Sequence, residues 1–304
     1  MNTTNSTSHL QNPNEYVNPG NLRRQAVLLL VLTAVLWSTS GVLIKIIGWQ
    51  ALSILSARSI FATVIFVIYL RRFDFNWTKL QIIGAVGYAS TQLFFIVATK
   101  LTAAANAIFL QYTAPLYVGL FGYWLLGERP RRADWGAMAV IFTGMVLFFG
   151  DDLSLNGLYG NVFGVLSGVT MAVMILCMRG QKDGVPANTI LLGNLICAFM
   201  GLPFLLQETF SPSSLGIVFY LGTIQIGLSF IFYSNAIKHV QALESILVLT
   251  MEPILNPIWV LLVIGEMPGP LAFVGGGLVI GAVIIRAIIS ARSADGDIVL
   301  AQQA

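Results

Sequence analysis

Along most of this chain, apolar runs without charge alternate with short polar joints. Residues 25–44, 80–99, 101–127, 153–178, 184–207 and 209–237 contain no Asp, Glu, Lys or Arg. Each is long enough to cross a bilayer as a helix, because about 20 residues at about 1.5 Å rise cover its roughly 30 Å hydrocarbon core. Bounding every run by its flanking charges, Gly and Pro predicts ten helices, near 26–46, 51–70, 80–99, 102–126, 133–150, 157–178, 186–206, 214–237, 242–264 and 269–290. The joints are too short for a separate domain, so the predicted fold class is an all-α integral membrane protein with ten transmembrane helices. The polar residues 1–25 predict a disordered cytoplasmic tail, and residues 291–304 a cytoplasmic tail.

Composition narrows the class. Apolar residues make up 57% of the chain and charged ones 10%, whereas water-soluble domains carry about 25% charge. A soluble enzyme does not fit. The net charge of +3 does not signal a nucleic-acid partner, because the basic residues sit in short pairs and triplets between helices. With the N-terminus inside, 13 of the 16 Lys and Arg fall on the inner side, which places both termini in the cytoplasm and the chain in the plasma membrane of a cell. Arg23-Arg24 before the run 26–36 imitates a secretory signal, but no small-x-small cleavage pattern follows. Cys177 and Cys197 lie inside apolar runs without metal-ligand spacing and read as packing residues. Trp49, Trp77 and Trp135 lie beside joints, where aromatic rings bridge lipid and headgroup.

Sliding the chain against itself by 138 residues aligns Phe94 with Phe232, Ala98 with Ala236, Lys100 with Lys238, Ala104 with Ala242, Ile108 with Ile246, Pro115 with Pro253, Gly127 with Gly265, Glu128 with Glu266 and Pro130 with Pro268. That internal repeat divides the chain into five-helix units at 26–150 and 157–290. Five is odd, so the second unit enters the membrane inverted relative to the first. The charges agree: Gly127-Glu128-Arg129-Pro130-Arg131-Arg132 is basic, while Gly265-Glu266-Met267-Pro268-Gly269-Pro270 has no Lys or Arg.

The stretch Leu110-Gln111-Tyr112-Thr113-Ala114-Pro115 through Gly127-Glu128, with its second copy Met251-Glu252-Pro253 through Gly265-Glu266, resembles the EamA-type transporters of the drug/metabolite transporter superfamily. The resemblance covers residues 26–290. It implies two inverted five-helix units around a central substrate cavity, alternating access, and movement of amino acids or other small metabolites, often outward. Pro115, Glu128, Glu252, Pro253 and Glu266 match the pattern, and Arg58 resembles an arginine frequent in the second helix. Ala114 departs from it, because the Glu-Pro pair occurs only in the second half.

Helical position selects the candidate substrate-binding residues. Gln225, Ser229 and Tyr233 recur at i, i+4 and i+8 on an otherwise apolar segment and so share one face. Tyr88 and Gln92 do the same, Gln111 and Tyr112 lie near the centre of the fourth segment, and Ser167 and Thr170 lie on the sixth. Trp37 and Ser40 flank the run Trp37-Ser38-Thr39-Ser40-Gly41, whose small and hydroxylated residues weaken a membrane helix. Each of these polar groups has a packing alternative, an interhelical hydrogen bond or a back-bond to the helix. Glu252 falls near the bilayer midplane, where an acid costs about 2.5 to 3.5 kcal/mol on insertion scales. It reads as a proton carrier or a counter-charge for a substrate ammonium; the packing alternative is a neutral acid bonded to carbonyls freed by the following prolines. Pro115, Pro253 and Pro257 inside apolar runs predict kinks that could serve gating. Gly160, Gly164 and Gly168, and again Gly277 and Gly281, form small-residue stripes expected to pack helices inside the chain. Asp151-Asp152 has no third ligand nearby, so no metal site and no cofactor is expected.

These residues predict a secondary exporter of a small organic metabolite, whose partners are that solute and the lipid bilayer, with proton coupling as one of the roles open to Glu252 and a monomer or weak homodimer as the assembly. Two rivals remain at this level. An exporter of lipophilic cations or drugs would use the same aromatic walls and buried acid. A membrane-embedded lipid-modifying enzyme would need clustered acids, His or a nucleophile with its base, and only His9 and His239 are present.

Overall fold

The computed structural model describes residues 19–72, 75–102, 104–149, 157–255, 259 and 270–302. Among these, every regular element is helical. The first half runs α1 (Pro19–Trp37), α2 (Ser40–Ile46), α3 (Ala51–Leu70), α4 (Lys79–Leu101), α5 (Ala104–Gln111), α6 (Ala114–Leu126) and α7 (Arg132–Phe149). The second runs α8 (Leu158–Gly180), α9 (Pro186–Leu205), α10 (Pro212–Tyr220), a π-helical segment (Leu221–Leu228), α11 (Ser229–Ala236), α12 (Ala242–Leu249) and α13 (Pro270–Gln302). Six helical stretches among the described residues, the first of them passing through a turn at 38–39, are long and apolar enough to cross a membrane: Gly20–Ile46, Ala51–Leu70, Lys79–Leu101, Leu158–Gly180, Pro186–Leu205 and Pro212–Ala236. Apolar side chains such as Leu28, Ile68, Ile83 and Phe199 cover their outer faces, as lipid contact requires. The expected Asp151-Asp152 loop, Pro257 and Glu266 lie outside the described residues.

Local chemistry sets the ends and breaks. Thr78 Oγ1 accepts the Gln81 N–H at 3.2 Å to cap α4, and Ser211 Oγ accepts the Ser214 N–H at 3.2 Å to cap α10. Gly127, at φ 69°, ends α6 in the left-handed conformation that glycine adopts without strain. Between α1 and α2 the Ser38 and Thr39 hydroxyls bond back to Val35 O and Leu36 O at 2.7 and 2.8 Å, and the helix is interrupted there. Pro115 begins a new helix after a turn at 112–113 instead of kinking a continuous one. The same offset of 138 residues that aligns the sequence carries α5 (104–111) onto α12 (242–249), and the start of α7 at 132 onto the start of α13 at 270.

Contacts at the helix ends fix direction. At one end Arg23, near the start of α1, pairs with Glu244 in the first turn of α12. There too Arg179, at the end of α8, reaches Glu128 at 2.7 Å and the carbonyls of Ile237 and Lys238 just past α11. At the other end Lys100, near the end of α4, donates to Ile47 O at 2.6 Å, and Trp49, just before α3, donates to Thr209 O past α9 at 3.2 Å. So α4 and α11, equivalent by the repeat, finish at opposite ends of the molecule.

Several expectations are corrected. Trp49 is buried, because its indole N–H is taken by that carbonyl. Helix α1 begins at Pro19 and α13 continues to Gln302, so both helices extend past the bounds expected at 26 and 290; neither added stretch contains an internal proline to stop a helix. The two glycine stripes also part ways. A Cβ on Gly160 or Gly164 would come within 2.8 to 2.9 Å of Thr102 or Leu110, so that stripe packs helices closely. On Gly277 or Gly281 it would meet nothing within 4 Å among the described residues, and α13 approaches α7 instead where Gly275 meets Gly144.

Candidate functional site

Where α1 breaks, α5 gives way to α6 and the π-helical segment passes, the chain leaves a central cavity of about 40 Å³. Ser40, Arg58, Thr91, Gln92, Gln111, Gln225 and Glu252 line it, alongside Trp37, Phe95, Met171, Met174 and Phe230. At that volume it holds a few waters and no metabolite, so an occupant requires the walls to part.

Arg58, in α3, is 1% exposed. Its Nη2 donates to Gln92 Oε1 at 2.6 Å, while its Nε has no partner among the described residues. Glu252, 5% exposed, receives the Tyr112 hydroxyl at 2.6 Å. That hydroxyl also lies 2.7 Å from Leu249 O, the carbonyl whose helix donor would be the missing N–H of Pro253. Arg58 and Glu252 therefore face one cavity without forming an ion pair with each other. The ion pairs among the described residues join Arg23 to Glu244, Arg179 to Glu128 and Arg286 to Asp134.

Of the residues selected from sequence, Trp37, Ser40, Gln92, Gln111, Gln225 and Glu252 lie on the cavity wall, and Tyr88, Tyr112, Ser229 and Tyr233 stand behind it. The Trp37 indole donates to Ser229 Oγ at 2.7 Å and its ring lies 4.7 Å from that of Phe230. Tyr233 backs Trp37 at 5.9 Å, and Tyr88 donates to Asn194 Oδ1 at 3.0 Å with its edge against Phe230. Of the face expected from Gln225, Ser229 and Tyr233, only Gln225, in the π-helical segment, lines the wall, whereas Ser229 and Tyr233, in α11, do not. Gln225 Oε1 is buried without a partner among the described residues. Gln111 Nε2 donates to Ser167 Oγ at 2.8 Å, and Thr91 bonds Thr170 at 3.0 Å, so Ser167 and Thr170 tie α8 to the wall.

Sequence reasoning passed over Thr91, Phe95, Met171, Met174 and Phe230. Thr91 could have been found as the neighbour of Gln92. The Met and Phe side chains carry no such signal, because they look the same in any buried helix face.

The profile of the EamA-like transporter family matches residues 24–150 and again 158–287. The threonine/homoserine exporter RhtA of Escherichia coli (strain K12) is 24% identical over 290 residues, 87% of this chain and 93% of that one. The pseudopaline exporter CntI of Pseudomonas aeruginosa (strain UCBPP-PA14) is 24% identical over 275 residues, 86% and 96% of the two chains. A solved crystal structure superposes with a TM-score of 0.75 at 20% identity, covering 88% of this chain and 98% of its own, which shows the shared fold.

Proposed function

The chain belongs to the EamA-like transporter family, and on that premise we propose that it exports a small zwitterionic metabolite of the amino-acid kind through the central cavity. It is a multi-pass membrane transporter and not an enzyme. The observation that carries the substrate class is that buried Arg58 and Glu252 line one cavity and are not paired with each other. A guanidinium suits a carboxylate and an acid suits an ammonium, and Gln92, Gln111 and Gln225 add neutral donors and acceptors between them. Two exporters among the relatives, one of them named for threonine and homoserine, support the direction and the class. A lipophilic cation is less well served, since Arg58 would be buried beside it.

In this reading the broken elements α1–α2, α5–α6 and α10–α11 are single crossings, and the chain crosses ten times in two inverted five-helix units at 26–150 and 157–290. The opposite ends reached by α4 and α11 support the inversion. Both termini lie in the cytoplasm, as the Lys and Arg distribution favours. The Glu128–Arg179 and Arg23–Glu244 pairs, each joining one unit to the other, hold the cytoplasmic end shut, and alternating access requires them to part. Glu252 also serves as the proton carrier. Tyr112 has one proton for two acceptors, Leu249 O and Glu252 Oε2, and a protonated carboxyl completes that pair.

Uptake into proteoliposomes across a panel of amino acids, purine-like metabolites and lipophilic cations tests the class. Saturable movement of zwitterionic amino acids, abolished in Arg58→Gln and partly kept in Arg58→Lys, is expected. Transport of lipophilic cations alone would overturn the reading.

A further inference from the structure

A second, larger space lies on the rim of the molecule, away from the central cavity. It is an open groove of about 350 Å³ between α7 and α13, with Gly136, Ala137, Gly277, Gly281 and Ala282 on its walls and Arg286 among its lining. A Cβ on Gly136, Gly277 or Gly281 would meet nothing within 4 Å, so no part of the described chain fills the groove. Arg286 is 5% exposed and its Nε bonds Asp134 Oδ1. Its Nη1, buried, has no partner among the described residues. Asp134 in turn accepts the Arg131 N–H at 2.6 Å, which sets this guanidinium at the first turn of α7, beside exposed Arg131 and Arg132.

We propose that this groove binds one anionic phospholipid, with an acyl chain along the glycines and the phosphate on Arg286 and Arg132. Three observations select that occupant. A buried guanidinium N–H without an acceptor is costly, and a phosphate oxygen satisfies it. Asp134 already neutralises one charge of Arg286, so the surplus positive charge comes from Arg131 and Arg132 and favours an anion over a zwitterionic headgroup. A second copy of the chain, packed face to face on a two-fold axis, would bring the same cations toward their counterparts. The proposal goes beyond the transport reading and does not depend on the identity of the substrate.

The test is native mass spectrometry of the whole protein released from nanodiscs of equal phosphatidylcholine and phosphatidylglycerol. The wild-type chain is expected to retain one phosphatidylglycerol, preferred over phosphatidylcholine by about tenfold or more, the combined effect of two basic residues beside the headgroup. Gly281→Leu, which fills the groove and leaves the Arg286–Asp134 pair intact, is expected to lose that lipid. The double variant Arg131→Gln with Arg132→Gln, which removes the surplus positive charge and leaves the Arg286–Asp134 pair in place, is expected to lose the preference. Equal retention of the two lipids by the wild type would overturn the proposal, as would a wild-type dimer that Gly281→Leu converts to monomer.

Discussion

The hydroxyl of Tyr112 lies 2.7 Å from the carbonyl oxygen of Leu249, across the interface between the two halves of the chain. Pro253, four residues on, cannot supply the N–H that would close the helix at that carbonyl. A side chain from the first half thus satisfies a backbone group exposed by a proline in the second, and the same oxygen reaches Glu252 at 2.6 Å. Tyr112→Phe leaves Leu249 O without a donor at nearly constant volume. A loss of about 1 to 3 kcal/mol is expected, visible as a lower midpoint of thermal unfolding in detergent. An unchanged midpoint would mean that the carbonyl is satisfied by water.

Glu252→Gln is nearly isosteric and keeps an acceptor for Tyr112. The variant is expected to fold and insert like the wild type but to lose transport, or to lose the dependence of transport on pH. Counterflow in proteoliposomes over a range of pH measures this. A normal rate with an unaltered pH profile would assign Glu252 to packing alone.

Gln225 presents a buried, unpartnered Oε1 at the cavity wall. Leu in its place removes that group at similar volume, so Gln225→Leu should reduce transport per folded molecule by about tenfold while leaving expression near wild type. Equal activity per molecule would show that the amide does not touch the solute.

Gly168 sits where α8 crosses the break between α5 and α6. A Cβ there would come to 2.6 Å from Thr113 Oγ1 and 2.8 Å from Gln111 O. Gly168→Ala should therefore cost about 1 to 3 kcal/mol in stability, whereas Gly277→Ala, whose added Cβ meets nothing within 4 Å among the described residues, should be nearly silent. Equal midpoints for the two variants would contradict the packing described for α8.

The inverted arrangement predicts a labelling pattern. Cys177 and Cys197 are both buried, so new cysteines can be introduced beside them. Asn76→Cys and Arg131→Cys should be protected from an impermeant thiol reagent in intact cells, and Asp152→Cys and Met267→Cys should react. Labelling at 131 with protection at 267 would reverse the orientation.

Membrane location, helical class and the internal repeat were legible in the sequence, because each depends on properties that residues carry individually or at fixed spacing. An uncharged run of about 20 residues has few options in a bilayer other than a helix, and the 138-residue offset that aligns Pro115 with Pro253 also relates α5 to α12. The polar candidates were visible too, since a Gln or Glu in such a run stands out.

Which of them meet was decided only by the tertiary structure. Nothing in the spacing of Arg58, Gln111 and Glu252 states that they line one cavity, because their approach depends on helix crossings such as the one at Gly168. The glycine stripes carry the same lesson. Gly164 and Gly281 belong to the same kind of small-residue pattern in sequence, yet one is pressed against Leu110 and the other meets no close neighbour among the described residues. A glycine permits close approach, and only the position of the neighbouring helix determines whether that approach occurs.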